Sequence, residues 1–315
     1  MKPIRALKAS RIAEDLHTYL VEKRYLNMRV HSVFQTSVNL VTPDDDLITM
    51  VTASRDIMPM GLTLHVSEPF EWPFLVDDSV EYTGFPMLAV PSSQCRIELQ
   101  DAKSWTPYLQ NVKYGNVKTR LRALKRLKAI VAKHDSLGIA SLVNMLDTWE
   151  DVSVADCDNV YCRFILHDMV LFLQAVKRQD WYAAGRQATM LIGFGPGLTP
   201  SCDDFMAAVL LSLFYDDSVK KTQQAELSVF MDHVVSAAKK QTTLVSASMI
   251  QHAAEGKASG LYLSVLSALL EGDTNALENS ATNALQFGAS SGSDFLFGLC
   301  AMQQLMETWR SGDKQ

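Results

Sequence analysis

The chain has 315 residues, 48% hydrophobic and 20% charged, which suits two globular domains or one domain with a large appendage and excludes wholesale disorder. A formal net charge of −6 argues against a general nucleic-acid binder. Five scattered cysteines, a start (MKPIRALKAS) without the apolar core of a signal peptide, and a longest apolar run of Met206–Phe214 predict a cytoplasmic protein with no disulfide framework and no membrane span, which needs about 20 apolar residues.

The spacing of Ile4, Leu7, Ile12, Leu16 and Leu20 predicts an amphipathic helix over the first 25 residues. From 28 to 110 the texture changes to short Val/Ile/Thr-rich runs. MRVHSVFQTSVNLVTP, LITMVTASR, GLTLHVS, SVEYTGFPMLAV and CRIELQ read as strands, with Asp44-Asp45-Asp46 as a turn. Beyond residue 113 the pattern is helical: a first helix is marked by Val117, Leu121, Leu124, Leu127 and Val131. Others fall near 139–149, 160–177, 180–192, 203–215, 223–253, 259–271, 274–286 and 294–309, with Gly256 and Gly272 as stops. Strands first and helices afterwards give an α+β class: an N-terminal antiparallel β-rich domain, sandwich or small barrel, at 1–112, then an all-helical domain at 113–315.

Two loops carry the functional argument. In Gly193-Phe194-Gly195-Pro196-Gly197-Leu198-Thr199-Pro200-Ser201-Cys202-Asp203-Asp204-Phe205, three glycines lie within five residues and an apolar helix follows. Glycines let the backbone approach a ligand closely, and a helix start offers free N–H groups and a positive dipole end suited to phosphate or carboxylate. Neither a Walker loop nor a dinucleotide fingerprint is present. A second segment, Gly288-Ala289-Ser290-Ser291-Gly292-Ser293-Asp294-Phe295, repeats the pattern Ser-x-x-Asp-Phe, at Ser201/Asp204 and at Ser291/Asp294. The two helix starts could face one another. A plain alternative is a capping box in each, with serine as N-cap. Asp203 is the extra acid, and adjacent acids at a helix start are favoured by the dipole in any case. Between the loops, Thr242 and Ser246 fall at i and i+4 on one helix face and could line a pocket, or could bond back to the helix. The segment 113–134 holds eight basic residues and no acid, which reads as a docking face or as a solvated one.

The runs GFGPGLTPSCDDF, TTLVSASMIQHAAEG and FGASSGSDFLFGL, with Ala102-Lys103-Ser104-Trp105-Thr106-Pro107, together resemble a bacterial domain-of-unknown-function family that includes the third subunit of oxamate carbamoyltransferase, of allantoin degradation. The resemblance covers roughly residues 28 to 305. One departure is Cys202, which stands where the family usually has glycine; at a helix start it could be an activated thiol.

The resemblance implies carbamoyl transfer between oxalurate and phosphate, giving oxamate and carbamoyl phosphate, with other protein subunits as partners. Gly195, Gly197 and Thr199 would then donate to an anion, with Ser201, Thr242, Thr243, Ser246, Ser290 and Ser291 around the substrate. Asp203, Asp204 and Asp294 are the candidate catalytic acids. Two other readings stay open: a non-catalytic anion-binding or scaffolding subunit, and a helical hydrolase using the three aspartates around Mg²⁺. The histidines show no metal-ligand spacing, and Mg²⁺ is the one cofactor weighed.

Overall fold

The computed structural model describes residues 5–149, 151–157 and 159–311, the side chains of 217–222 and 311 excepted. The chain forms two compact units: Met1–Tyr108 with Ala258–Gly260, and Leu109–Lys257 with Leu261–Gln315.

The first unit is a closed β-barrel. Its strands are β1 (Arg5–Ala13), β2 (Leu26–Val33), β3 (Ser37–Val41), β4 (Leu47–Val51), β5 (Gly61–Leu64), β6 (Ser79–Tyr82), β7 (Met87–Val90) and β8 (Cys95–Glu98). They run in the order β5-β4-β3-β2-β6-β7-β8-β1, and β1 pairs back onto β5, which removes the free edges. A ninth strand, β9 (Lys103–Trp105), extends the edge of β1 that β8 begins: β8 takes residues 5–8 and β9 takes 11–13. Val30, Leu40, Ile48, Met50, Leu62, Val80, Leu88 and Ile97 fill the core.

Of the two forms expected, the barrel is found, but its sheet is mixed rather than antiparallel. β1 runs parallel to β8 and β9, and β4 parallel to β5. Hairpins force antiparallel pairing; β1 and β8 are far apart in sequence, and the long connection 52–60 lets β5 return beside β4 in the same direction. The expected N-terminal helix is also corrected. Leu7 and Ala9 alternate into the core, and a register shift between Ala9 and Arg11 then brings Ile12 inside. The extra residue of the bulge breaks the strict alternation of a strand, so the apolar spacing no longer reads as one. The helix is α1 (Glu14–Glu22), which buries Leu16 and Leu20, and Ile4 lies outside the described residues. The acidic turn is as expected: Thr42 Oγ1 accepts from the N–H groups of Asp44 and Asp46.

The second unit is helical: α2 (Val117–Ala132), α3 (Val160–Lys177), α4 (Trp181–Leu191), α5 (Ser201–Phe214), α6 (Asp217–Gln241), α7 (Leu244–Ala254), α8 (Gly260–Glu271), α9 (Thr274–Ala284) and α10 (Ser291–Ser311). Every residue of α5 from Ser201 to Leu213 is buried, the mark of a central helix. It lies along α10, where a Cβ on Gly298 would sit 2.6 Å from the Phe205 carbonyl oxygen. Phe205 packs on Phe297 at 5.1 Å and edge-on to Phe172 at 6.0 Å.

Two expected helices are corrected. Segment 139–149 is a run of 3₁₀ turns at Ala140–Met145. Segment 223–253 is broken at Thr242–Thr243, because Thr243 caps a new helix by accepting from the Ser246 N–H. Gly256 and Gly272 take positive φ (76° and 75°), as stops should. The basic run on α2 is partly internal. Arg120 makes a buried two-pronged pair with Glu307 (2.8 and 3.1 Å), Arg126 meets Glu278 and Lys128 meets Asp147. Among the described residues no helix is long and apolar enough to cross a membrane.

Gly298→Val should lower stability by about 1–3 kcal/mol, since the added atoms meet backbone rather than a flexible side chain. Urea unfolding measures this, and an unchanged midpoint would contradict the close α5–α10 packing.

Candidate functional site

The glycine loop folds around three positive φ values: 82° at Gly193, 121° at Gly195 and 98° at Gly197. At Gly195 a side chain is doubly excluded, because a Cβ there would lie 2.5 Å from the Ser201 nitrogen. The loop closes on itself through the Cys202 N–H, which donates to the Phe194 carbonyl at 3.0 Å. Phe194 stacks flat on Phe164 of α3 at 5.2 Å. The N–H groups of Gly193, Phe194 and Cys202 are thus used internally, while those of Gly195, Gly197 and Thr199 donate to no group among the described residues.

Asp203 fastens this loop. One carboxylate oxygen accepts from the Gly193 N–H at 2.8 Å and the other from the Thr242 hydroxyl. Burial pushes its pKa up, and these two donors pull it back. Ser246 faces the same carboxylate without completing a hydrogen bond of normal geometry. Thr243 does two jobs: its hydroxyl donates to the Leu198 carbonyl at 3.1 Å and accepts from the Ser246 N–H at 3.2 Å. Thr242 therefore reaches the site from the break between α6 and α7, not from the helix face that it was expected to share with Ser246.

The start of α10 is built differently. The Ser290 carbonyl accepts from the Asp294 N–H and from the Ser293 hydroxyl, which also bonds Ser136 at 2.8 Å. One oxygen of Asp294 accepts from the Ile139 N–H at 2.8 Å. A Cβ on Gly138 would run into this carboxylate, so the turn 136–139 approaches only because residue 138 has none. Asn159 and Cys162, at the start of α3, hold that turn through the Gly138 carbonyl. Ser136, Gly138 and Ile139 carry no site signal in the sequence, where a helix is expected near 139–149; the glycine in SLGIA is the one available mark.

The two starts meet. The Thr199 and Ser291 hydroxyls share a hydrogen bond at 2.6 Å. Both face Asp204, yet neither completes a bond to it, and both Asp204 oxygens are buried without a partner among the described residues. Ser201 and Ser290 in turn face Asp294, whose second oxygen, like the Ser201 hydroxyl, has no partner among them. Each motif's aspartate thus looks at the other motif's serine. Neither motif is a capping box: Pro200 is the N-cap of α5 with no side-chain cap, and the hydrogen bond of Asp294 goes to Ile139. Burial first, and then the charge of Asp294, holds the Asp204 carboxyl well above the usual range. Burial raises Asp294 to about 6 against the donors around it.

Cys202 is completely buried, and burial with the neighbouring aspartates pushes its thiol well up, so it is not an activated thiol. Gly197 stands apart, with open space around it save the Thr199 carbonyl 3.5 Å from where its Cβ would be. Asp203, Asp204 and Asp294 do not converge as the Mg²⁺ reading required. Among the described residues no group of three or more His, Cys, Asp or Glu side chains is placed to hold a metal ion.

Residues 191–303 match the family described as oxamate carbamoyltransferase subunit AllH, and residues 6–104 match the AllH family N-terminal domain. No solved structure matches the chain. The first match spans both helix starts and the Thr242–Ser246 break.

Asp294 has an ordinary pKa of 3.8 when exposed and about 6 in the fold, so the folded chain holds this proton more tightly. Its stabilising contribution is complete below about pH 4 and is lost as pH rises to about 6, an effect of up to roughly 3 kcal/mol. Asp294→Asn should remove that part of the decline in urea-unfolding stability across this window. A mutant profile parallel to wild type would show that Asp294 titrates normally.

Proposed function

The chain belongs to the AllH family, and we propose that it serves as a cytoplasmic subunit of an oxamate-carbamoyltransferase-like enzyme, binding the small anionic substrate on the glycine loop at the start of α5. The observation that carries this reading is the set of unengaged N–H groups at Gly195, Gly197 and Thr199, beside the positive end of a buried helix. Phosphate, carbamoyl phosphate, oxamate and oxalurate all present oxygens that such donors recognise.

The carbamoyl group has a second need, acceptors for its N–H₂. Thr199 and Ser291 supply hydroxyl oxygens at the point where the two helix starts touch, with the buried Asp204 behind them. In the reaction between oxalurate and phosphate the carbamoyl carbon becomes tetrahedral, and its oxygen gathers negative charge. Fixed backbone donors that need no reorganisation stabilise that oxygen. Asp203 serves the loop by holding Gly193 in place.

Partner subunits enter this reading through the family. Leu137, Val160, Phe164 and Leu198 are large apolar side chains, all largely exposed. Leu137 and Leu198 lie on the two segments that bound the site. Val160 follows the Asn159 that holds the Gly138 turn, and Phe164 stacks on the loop. A partner covering them would exclude water from the site.

Thr199→Ala and Ser291→Ala should each weaken carbamoyl phosphate binding about tenfold, the effect of one lost hydrogen bond of about 1.4 kcal/mol. Calorimetric titration of the chain, alone and assembled with its partner subunits, reads this. Unchanged affinity in both variants would place the ligand elsewhere. Binding without transfer in the assembled enzyme would favour the non-catalytic reading.

A further inference from the structure

The structure has buried two carboxyl groups where a carboxylate is hard to keep. Asp204 is 1% exposed and Asp294 is inaccessible. Three of their four oxygens have no hydrogen-bond partner among the described residues. An ionised carboxylate left so is costly by several kcal/mol, and the ordinary escape is to keep a proton. Two such groups on facing helix starts resist ionising together.

We propose that Asp204 and Asp294 hold one proton between them, and that the Thr199–Ser291 hydroxyl pair connects it to the surface of the glycine loop. The geometry gives each part a place. Thr199 and Ser291 are half-buried, bonded to each other, and face Asp204 from the two loops. A hydroxyl donates and accepts at once, so the pair can pass a proton without moving either backbone. The groups acting on Asp204 are Asp294 on α10 and Asp203 on its own helix, and both charges are negative. Asp203 is occupied by the Gly193 N–H and Thr242. Around Asp294 stand Ser201, Ser290 and the N–H groups of Ile139 and Ala140. The Cys162 and Cys202 thiols nearby are both pushed up by burial and stay neutral.

The role of this proton rests on the carbamoyl-transfer reading. A phosphate oxygen bonds to the carbamoyl carbon of oxalurate, and the bond from that carbon to the oxamate nitrogen breaks, its electron pair staying on nitrogen. Hydrogen phosphate gives up one proton and the leaving nitrogen takes one. The carboxyl pair, through the two hydroxyls, accepts the first and supplies the second, and ends as protonated as it began.

Carboxyl-carbon NMR of the ¹³C-aspartate-labelled full chain tests the pair directly. One of the two carboxyls should remain protonated at pH 7, and Asp294→Asn should lower the midpoint of Asp204. Midpoints near 4 for both, in wild type, would overturn the proposal whatever the variants do. The second arm is the pH profile of kcat/KM for the enzyme assembled with its partners. Asp204→Asn should lose the alkaline limb and at least about 100-fold in rate. Thr199→Val with Ser291→Ala should keep one carboxyl protonated at pH 7, moving the Asp204 midpoint up rather than down because two donors that lower it are gone, but lose rate. A wild-type profile in either variant would refute the relay. No carbamoyl transfer by the wild-type assembly would refute the functional reading and the relay with it, while the shared proton would still stand or fall on the titration.

Discussion

The second unit is organised around two aspartates placed where the fold gives them the least water. Asp204 and Asp294 begin the two most buried helices, α5 and α10, which run so close that Gly298 cannot carry a side chain. Helix starts are positive, and that softens the penalty of burying acid there without cancelling it. Much of the surrounding detail follows from the remainder. Hydroxyls crowd the pair, the turn 136–139 closes with a glycine, and the loop before α5 winds through three left-handed positions to bring Thr199 against Ser291. An arrangement of this kind is a poor way to stabilise a helical bundle, since apolar side chains of the same volume would pack with less penalty. Its presence where two helix starts meet points to chemistry.

Asp203 shows the opposite solution one residue away. It is as buried as its neighbour, yet both of its oxygens have donors, and through them it ties the glycine loop to the α6–α7 break. Two adjacent acids thus divide the work: one fixes the loop and the other stays unsatisfied beneath it. The break itself is necessary. A continuous helix through 242–243 would remove the Thr243 cap and the bond to the Leu198 carbonyl that steadies the far end of the loop.

Much of the site was legible because it is local. The glycine spacing, the acids at the start of an apolar helix and each copy of Ser-x-x-Asp-Phe sit within a dozen residues, and the repeat suggests two helix starts that could face one another, as Thr199 and Ser291 do. What the sequence hid was the third wall. Ile139 reaches Asp294 across 155 positions, and only the glycine of SLGIA hints at the close approach. The fold was legible to a similar degree. Segment 160–177 has the bounds its apolar pattern predicts, and the structure adds Asn159 as its cap. The first strand was misread because its bulge breaks the strict alternation of a strand, and the mixed pairing of the barrel could not be read because strand partners are set by closure, not by neighbours in sequence.

The most direct measurement is an amide ¹H–¹⁵N titration of the chain, alone and assembled with its partners, with carbamoyl phosphate. The account predicts that the Gly195, Gly197 and Thr199 amides shift most, followed by Ser291, with the β-barrel amides unmoved. Shifts confined to other residues, or none in either state, would contradict the placement of the ligand on the glycine loop.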